Sequence, residues 1–197
     1  MKKRFKNRNK SLQQFGYEFL VVCPSCRQCA KIITLEDTDP RSLGAKRRLF
    51  CTHCGHNKEL VPKGNHYRYD IGISTPRHWR GDNREFKKTC SMHPRRWLKG
   101  TGRIGETFDI QIGGPFDWYF GIPVYLQANC CGHKLWAYNL EHLEYIERYV
   151  EAELRDSNSA NRSIESRLPK WIKSARNRER ILTCIEQMRR SLVAGSK

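Results

Sequence analysis

A chain of 197 residues holds one compact domain, or a small module joined to a moderate one, and its 37 Lys and Arg against 20 Asp and Glu leave a formal charge of +17 that favours a polyanionic partner, nucleic acid first. No apolar run is long enough to span a bilayer, and the basic opening "MKKRFKNRNK" is not followed by the continuous apolar core of a signal peptide, so the expected location is cytoplasmic with no membrane partner. In that reducing compartment nine cysteines, an odd number, read as metal ligands or free thiols and not as a disulfide framework.

Residues 1–18 form a basic arm. Lys2, Lys3 and Arg4 begin a run of six cations in ten residues with no acid, which predicts a mobile segment available to phosphates. Residues 19–65 alternate short β-like pieces with cysteine pairs and predict a zinc ribbon. Residues 66–156 form an α+β body: Tyr67, Tyr69, Ile71 and Ile73 alternate with polar residues, Phe108, Ile110 and Ile112 do the same, and strands around 123–127 and 134–138 flank a turn at "ANCCGH". Asn139 then caps a helix whose stripe is Leu143, Ile146, Val150 and Leu154, with supporting pairs Glu144/Arg148 and Glu151/Arg155.

Residues 157–197 form a basic helical segment. Pro169 fits a first turn, Ile181, Ile185, Met188 and Leu192 repeat at helical spacing with Cys184 as a small core residue, and Lys173, Arg176 and Arg180 share one face. The charge is uneven along the chain: residues 1–65 carry 14 basic and 5 acidic side chains, 157–197 carry 10 and 3, but 111–156 carry 3 and 7. An acidic segment between basic ones predicts that residues 111–156 stay clear of nucleic acid while the parts flanking them meet it.

The strongest motif is Cys23-x2-Cys26 with Cys51-x2-Cys54, two tight turns 24 residues apart that converge four thiolates on one tetrahedral ion. Four thiolates close the shell, so the site is expected to be structural. The ribbon has few apolar residues and would depend on its metal to fold. Cys29 offers a third thiol in "CPSCRQC" and keeps an iron–sulfur alternative open, while His53 and His56 read as turn residues beside the metal. The strand "AKRRLF", with Lys46, Arg47 and Arg48, would present charge to a phosphate backbone.

This ribbon, with the strings "YFGIPVYLQANCCGHKLWAYNLEHL" and "SRLPKWIKSARNRERIL", resembles that of uncharacterised bacterial proteins carrying a general-transcription-factor-type (TFIIB-type) zinc ribbon. The resemblance covers most of the chain. It implies zinc, suggests nucleic acid and brings no activity with it.

Between Pro76 and Glu106 the chain is basic and irregular, with Trp79, Arg95, Arg96 and Trp97 placed so that bases could stack among cations; core packing is the competing role of each tryptophan. An organiser for this region is a second zinc site, Cys90-x2-His93 completed by His133 with Cys130 or Cys131; a small core position for the cysteines is the alternative. Gly100, Gly102 and Gly105 match a dinucleotide fingerprint, but no strand precedes them and a strand follows, so they read as a turn. An enzyme would need Cys131 as nucleophile, His133 or His142 as base and Asp117 or Glu141 as orienter, and vicinal thiols are not a nucleophile signature.

The expectation is thus an α+β fold with an N-terminal zinc ribbon, a small antiparallel sheet and C-terminal helices, binding one zinc ion, or two if the second site forms. The expected function is non-enzymatic nucleic-acid binding. The alternative is a protein-binding adaptor docking through the acidic helix 140–155.

Overall fold

The computed structural model describes residues 3–6, 10–35, 44–60, 112–155 and 163–194. The expected strands at 67–73 and 108–110, the Gly100–Gly105 turn and the basic region between Pro76 and Glu106 lie outside them. The fold is α+β. A four-stranded antiparallel sheet runs in sequence order through β2 (Glu18–Val22), β3 (Cys29–Thr34), β4 (Arg47–Phe50) and β5 (Asn57–Leu60). The first two strands are rich in β-branched and aromatic residues, and register aligns Phe19 with Ile32 and Ile32 with Leu49, a row fully buried on one face.

The outer edge of β2 is covered by the chain that follows residue 122. Leu20 N–H donates to the Tyr138 carbonyl (2.7 Å), Tyr125 N–H to the Leu20 carbonyl (2.8 Å) and Val22 N–H to the Pro123 carbonyl (2.9 Å). Backbone groups that would otherwise be an open edge are therefore satisfied inside the molecule. A single apolar cluster runs from Phe15, Phe19 and Leu49 through Val124 and Leu135 to Leu143, Ile181 and Ile185.

The next two strands, β6 (Gln127–Cys130) and β7 (His133–Trp136), form a hairpin in which Cys130 pairs with His133. Its turn is only Cys131-Gly132, with φ of 53° and 76°, the positive pair a type I′ turn requires. The strands thus run closer to the turn than their apolar residues suggest, because a two-residue turn draws Asn129, Cys130 and His133 into the ladder.

Helix α1 (Leu140–Glu151) starts at Asn139, as expected, and buries Leu143, Ile146 and Val150. It ends sooner than the stripe predicts. Ala152 is extended, and Leu154 is half exposed in β8 (Leu154–Arg155), which lies parallel to β1 (Arg4–Phe5). The stop has a partner far along the chain: Arg178 donates from Nε to the Val150 carbonyl (2.9 Å) and from a terminal nitrogen to that of Ala152 (3.1 Å). A cation at the helix C-terminus satisfies the carbonyls left without amide donors and suits the dipole.

The arm is docked on the body at residues 3–6. Phe5 is buried and meets Tyr145 and Tyr149 edge to face, with ring centroids 5.5 and 5.3 Å apart. The C-terminal segment also departs from one continuous helix. It comprises α2 (Ile164–Arg167), α3 (Lys170–Lys173), a 3-10 turn (Ala175–Asn177) and α4 (Arg178–Ala194), with Pro169 capping α3 and Ser174 extended between α3 and the turn. Lys173, Arg176 and Arg180 therefore sit on three different elements. The expected stripe survives in α4, where Ile181, Ile185 and Met188 are buried and Leu192 half-buried.

Candidate functional site: a four-cysteine centre and a basic cleft

The two Cys-x2-Cys turns are built alike. In the first, Cys23 N–H donates to Gln28 and Arg27 N–H to Cys23; in the second, Cys51 N–H donates to His56 and Gly55 N–H to Cys51, all at 2.8–3.0 Å. The residue after each second cysteine takes a left-handed conformation, Arg27 at φ 63° and Gly55 at φ 72°. Glycine adopts it freely and arginine does not.

These turns bring the sulfurs of Cys23, Cys26, Cys51 and Cys54 within 4.8 Å of one another, with Cys23 to Cys54 and Cys26 to Cys51 each at 3.6 Å. A tetrahedral ion with Zn–S of ~2.3 Å would set its ligand sulfurs ~3.8 Å apart, so the quartet fits a metal. Burial would raise the Cys23 thiol, but the amides of Cys26 and Ser25 and the thiols of Cys54 and Cys26 bring it down to about 7. The Gln28 amide lowers Cys26, yet burial and the three neighbouring sulfurs together push it up to about 12. One thiolate is thus favoured and a second resisted. Four together require a cation.

Cys29 stands apart from the quartet: it opens β3 opposite Val22, and burial pushes its thiol up to about 11. Of the two histidines, His53 is exposed, while His56 meets the Ser25 hydroxyl at 3.0 Å through Nδ1, tying one turn to the other.

Cys90 and His93 of the expected second metal site lie outside the described residues. Its other members are placed separately from the quartet. Cys130 is buried with its sulfur 3.8 Å from that of Cys131 and 3.7 Å from the Arg180 carbonyl, and burial, with Cys184 and Cys131 beside it, raises its thiol strongly. His133 is exposed and stacks on Trp171, centroids 5.0 Å apart and planes at 14°. Among the described residues the four-cysteine quartet is the one group of metal-ligating side chains so closely gathered.

Three of the side chains named for a catalytic role, Asp117, Glu141 and His142, have partners of their own. Both oxygens of Asp117 accept backbone N–H groups, from Tyr119 (2.8 Å), Phe120 (2.7 Å) and Ile122 (2.6 Å), which shapes the turn before Pro123. Glu141 pairs with Lys10. His142 is fully buried, its Nδ1 accepting the Tyr138 N–H at 3.3 Å.

Of the residues expected to meet nucleic acid, Lys2, Trp79, Arg95, Arg96 and Trp97 lie outside the described residues. Lys3 pairs with Glu151 at 2.9 Å, and Arg4 is exposed in β1. Lys46 and Arg48 both reach Glu59, at 2.6 and 2.5 Å, and hold its carboxyl below the usual range. Arg47 corrects the expectation outright: it is fully buried, because it shares the inner face of β4 with Leu49. Its guanidinium lies 4.4 Å over the Tyr119 ring, and it donates to the Tyr17 carbonyl and Thr34 hydroxyl, so it faces no external phosphate.

The acidic helix is spent internally. Glu141 meets Lys10, Glu144 meets Arg148 as expected, Glu147 meets Arg189 and Glu151 meets Lys3. Tyr145 and Tyr149 are buried beside Phe5, so these two tyrosines are not on the exposed face of α1. What stays open is basic: Lys134, Arg167, Lys170, Arg176 and Arg180 are exposed, and no carboxylate among the described residues pairs with them. Lys134 and Arg167 edge a cleft walled by Trp136 and Trp171. The sequence pattern did not bring this cleft to notice, although Lys134 and Trp136 lie two apart on a strand and so share a face.

No helix among the described residues is long and apolar enough to cross a membrane. No family model, curated protein or solved structure matches the chain.

Proposed function

We propose that this chain is a zinc-stabilised, non-enzymatic nucleic-acid-binding protein of the cytoplasm, in which Cys23, Cys26, Cys51 and Cys54 hold one structural zinc ion and a ribbon forms around it. Four thiolates leave no coordination position for water or substrate, and a soft tetrahedral sulfur set suits zinc. The TFIIB-type ribbon that the sequence resembles is consistent with both halves of this reading.

The observation that carries nucleic-acid binding is the distribution of charge pairing. The carboxylates of α1 neutralise Lys3, Lys10 and Arg189, whereas the exposed Lys134, Arg167, Lys170, Arg176 and Arg180 keep no acidic partner among the described residues, and Lys134 and Arg167 border an aromatic cleft. Such a surface attracts phosphates and releases counterions on binding.

Anisotropy of labelled single- and double-stranded DNA and RNA across a salt series tests it. Affinity falls steeply with salt, and Arg176→Ala with Arg180→Ala weakens binding and flattens the slope by about one for each phosphate no longer neutralised. Absence of binding at low salt overturns the reading, and co-purification of a stoichiometric protein partner would then put the adaptor in its place.

A further inference from the structure

A half-open cavity of about 220 Å³ is lined by β7, α1 and the segment from α2 to α3. Its size is below the ~300–1,000 Å³ of most ligand pockets, which suits one ring system. Trp136 and Trp171 stand in its wall among Leu135, Ile146, Ile164 and Ile172, and the ring of His133 packs flat on Trp171.

Two polar features break this apolar lining. His142 lines the cavity while wholly buried, and burial alone lowers its pKa to about 3, so the imidazole is neutral. Its Nδ1 accepts the Tyr138 N–H, which leaves the hydrogen on Nε2, and no acceptor answers that Nε2–H among the described residues. At the solvent side the exposed Lys134 and Arg167 supply two positive charges. An occupant that satisfies all of this is planar, carries an acceptor for a neutral donor inside the cavity, and bears its negative charge outside. An alkyl chain or a plain phenyl ring would leave the Nε2–H unanswered. Every nucleobase has a carbonyl or ring nitrogen to offer.

We propose that the cavity binds a single unstacked nucleobase, inserted beside Trp136 and Trp171 with an acceptor on His142 Nε2–H, while Lys134 and Arg167 hold the adjoining phosphate. This deepens and rests on the nucleic-acid reading, and it assigns the protein to single strands, since a base within a duplex cannot enter such a cavity.

The test uses the full chain with its metal. Nucleoside monophosphates quench tryptophan fluorescence saturably, the matching nucleosides bind more weakly, and ribose 5-phosphate does not quench. Trp171→Ala lowers affinity for a single-stranded oligonucleotide about tenfold or more and leaves duplex affinity unchanged. Arg167→Ala, at an exposed position where folding is not at stake, erases the difference between monophosphate and nucleoside. Salt-dependent oligonucleotide binding that neither substitution alters, with no quenching by monophosphates, overturns the cavity proposal and leaves the broader function standing. Saturable quenching by monophosphates without any oligonucleotide binding supports the cavity and overturns the polymer reading.

Discussion

Asn139 joins the sheet to the helices, and its removal is a sharp test of how the fold is held. The side chain is 1 % exposed; Oδ1 accepts the His142 N–H at 2.9 Å as the cap of α1, while Nδ2 donates to the carbonyls of Phe15 (2.8 Å) and Glu18 (2.9 Å). Loss of the cap costs about 1 kcal/mol, and each buried carbonyl left without its donor about 1–3 kcal/mol. Asn139→Ala should therefore destabilise by roughly 3–7 kcal/mol, a large share of the ~5–15 kcal/mol typical of a domain. Asn139→Ser keeps a capping oxygen and recovers only about the first 1 kcal/mol. Asn139→Asp separates the two roles, since a carboxylate is a better cap but turns an acceptor toward two carbonyls. Urea unfolding at fixed zinc concentration measures all three. If the aspartate variant matches the wild type, the amide bonds to Phe15 and Glu18 hold nothing and the reasoning fails.

Elemental analysis should find one zinc ion bound at the quartet, retained in Cys29→Ser and lost in Cys51→Ser, whose fold should weaken as chelation weakens that of the wild type; equal melting with and without metal would count against a structural ion. For His142, with a folded pKa near 3 against 6.5 unfolded, the unfolded chain binds the extra proton between those values, so stability is complete above about pH 6.5 and falls as pH drops toward about 3. The fall attributable to this residue approaches ~1.4 kcal/mol per pH unit, and the wild type should lose stability with acid faster than His142→Gln; parallel pH profiles would exclude a neutral buried imidazole. Arg27→Gly should stabilise by about 0.5–1 kcal/mol by relieving a left-handed arginine, and Gly55→Ala should destabilise by about 1–2 kcal/mol at the matching place in the other turn, both read as shifts in the urea midpoint.

What could be read in advance was what depends on near neighbours. The Cys-x2-Cys pairs, the Asn139 cap and the 3.6-residue stripes of α1 and α4 are local patterns, and each recurs in the structure. The four-cysteine site was legible because each half is a self-contained turn. Arg47 was misread by treating "KRR" as one charged patch, although strand alternation already sets Arg47 with Leu49 on the buried face. Other features have no local signal. Arg178 stops α1 from 26 residues away, and the Asn139 amide reaches carbonyls more than 120 residues earlier. Nothing in the spacing of His133 announces Trp171 as its stacking partner.

The docked arm shows how magnitudes decide between two explanations that the sequence leaves level. Lys3 and Lys10 are paired with Glu151 and Glu141, which suggests electrostatic docking of a basic arm on an acidic helix. Exposed ion pairs contribute only about 0–1 kcal/mol each, and Lys3 is 67 % exposed in its pair. Phe5, 7 % exposed between Tyr145 and Tyr149, contributes about 1.5–3 kcal/mol by burial and about 0.5–1.5 kcal/mol more from each edge-to-face contact. The aromatic anchor therefore outweighs the charges, which choose where along α1 the arm lies. Phe5→Ala should free residues 3–6 to limited proteolysis and raise amide exchange at Glu153 and Leu154, whose N–H groups donate to the Lys3 carbonyl. Glu151→Gln should leave both nearly unchanged at any salt concentration. Release of the arm by Glu151→Gln, or by salt alone, would mean that charge and not Phe5 holds it, and the basic arm would return to the partner-binding surface.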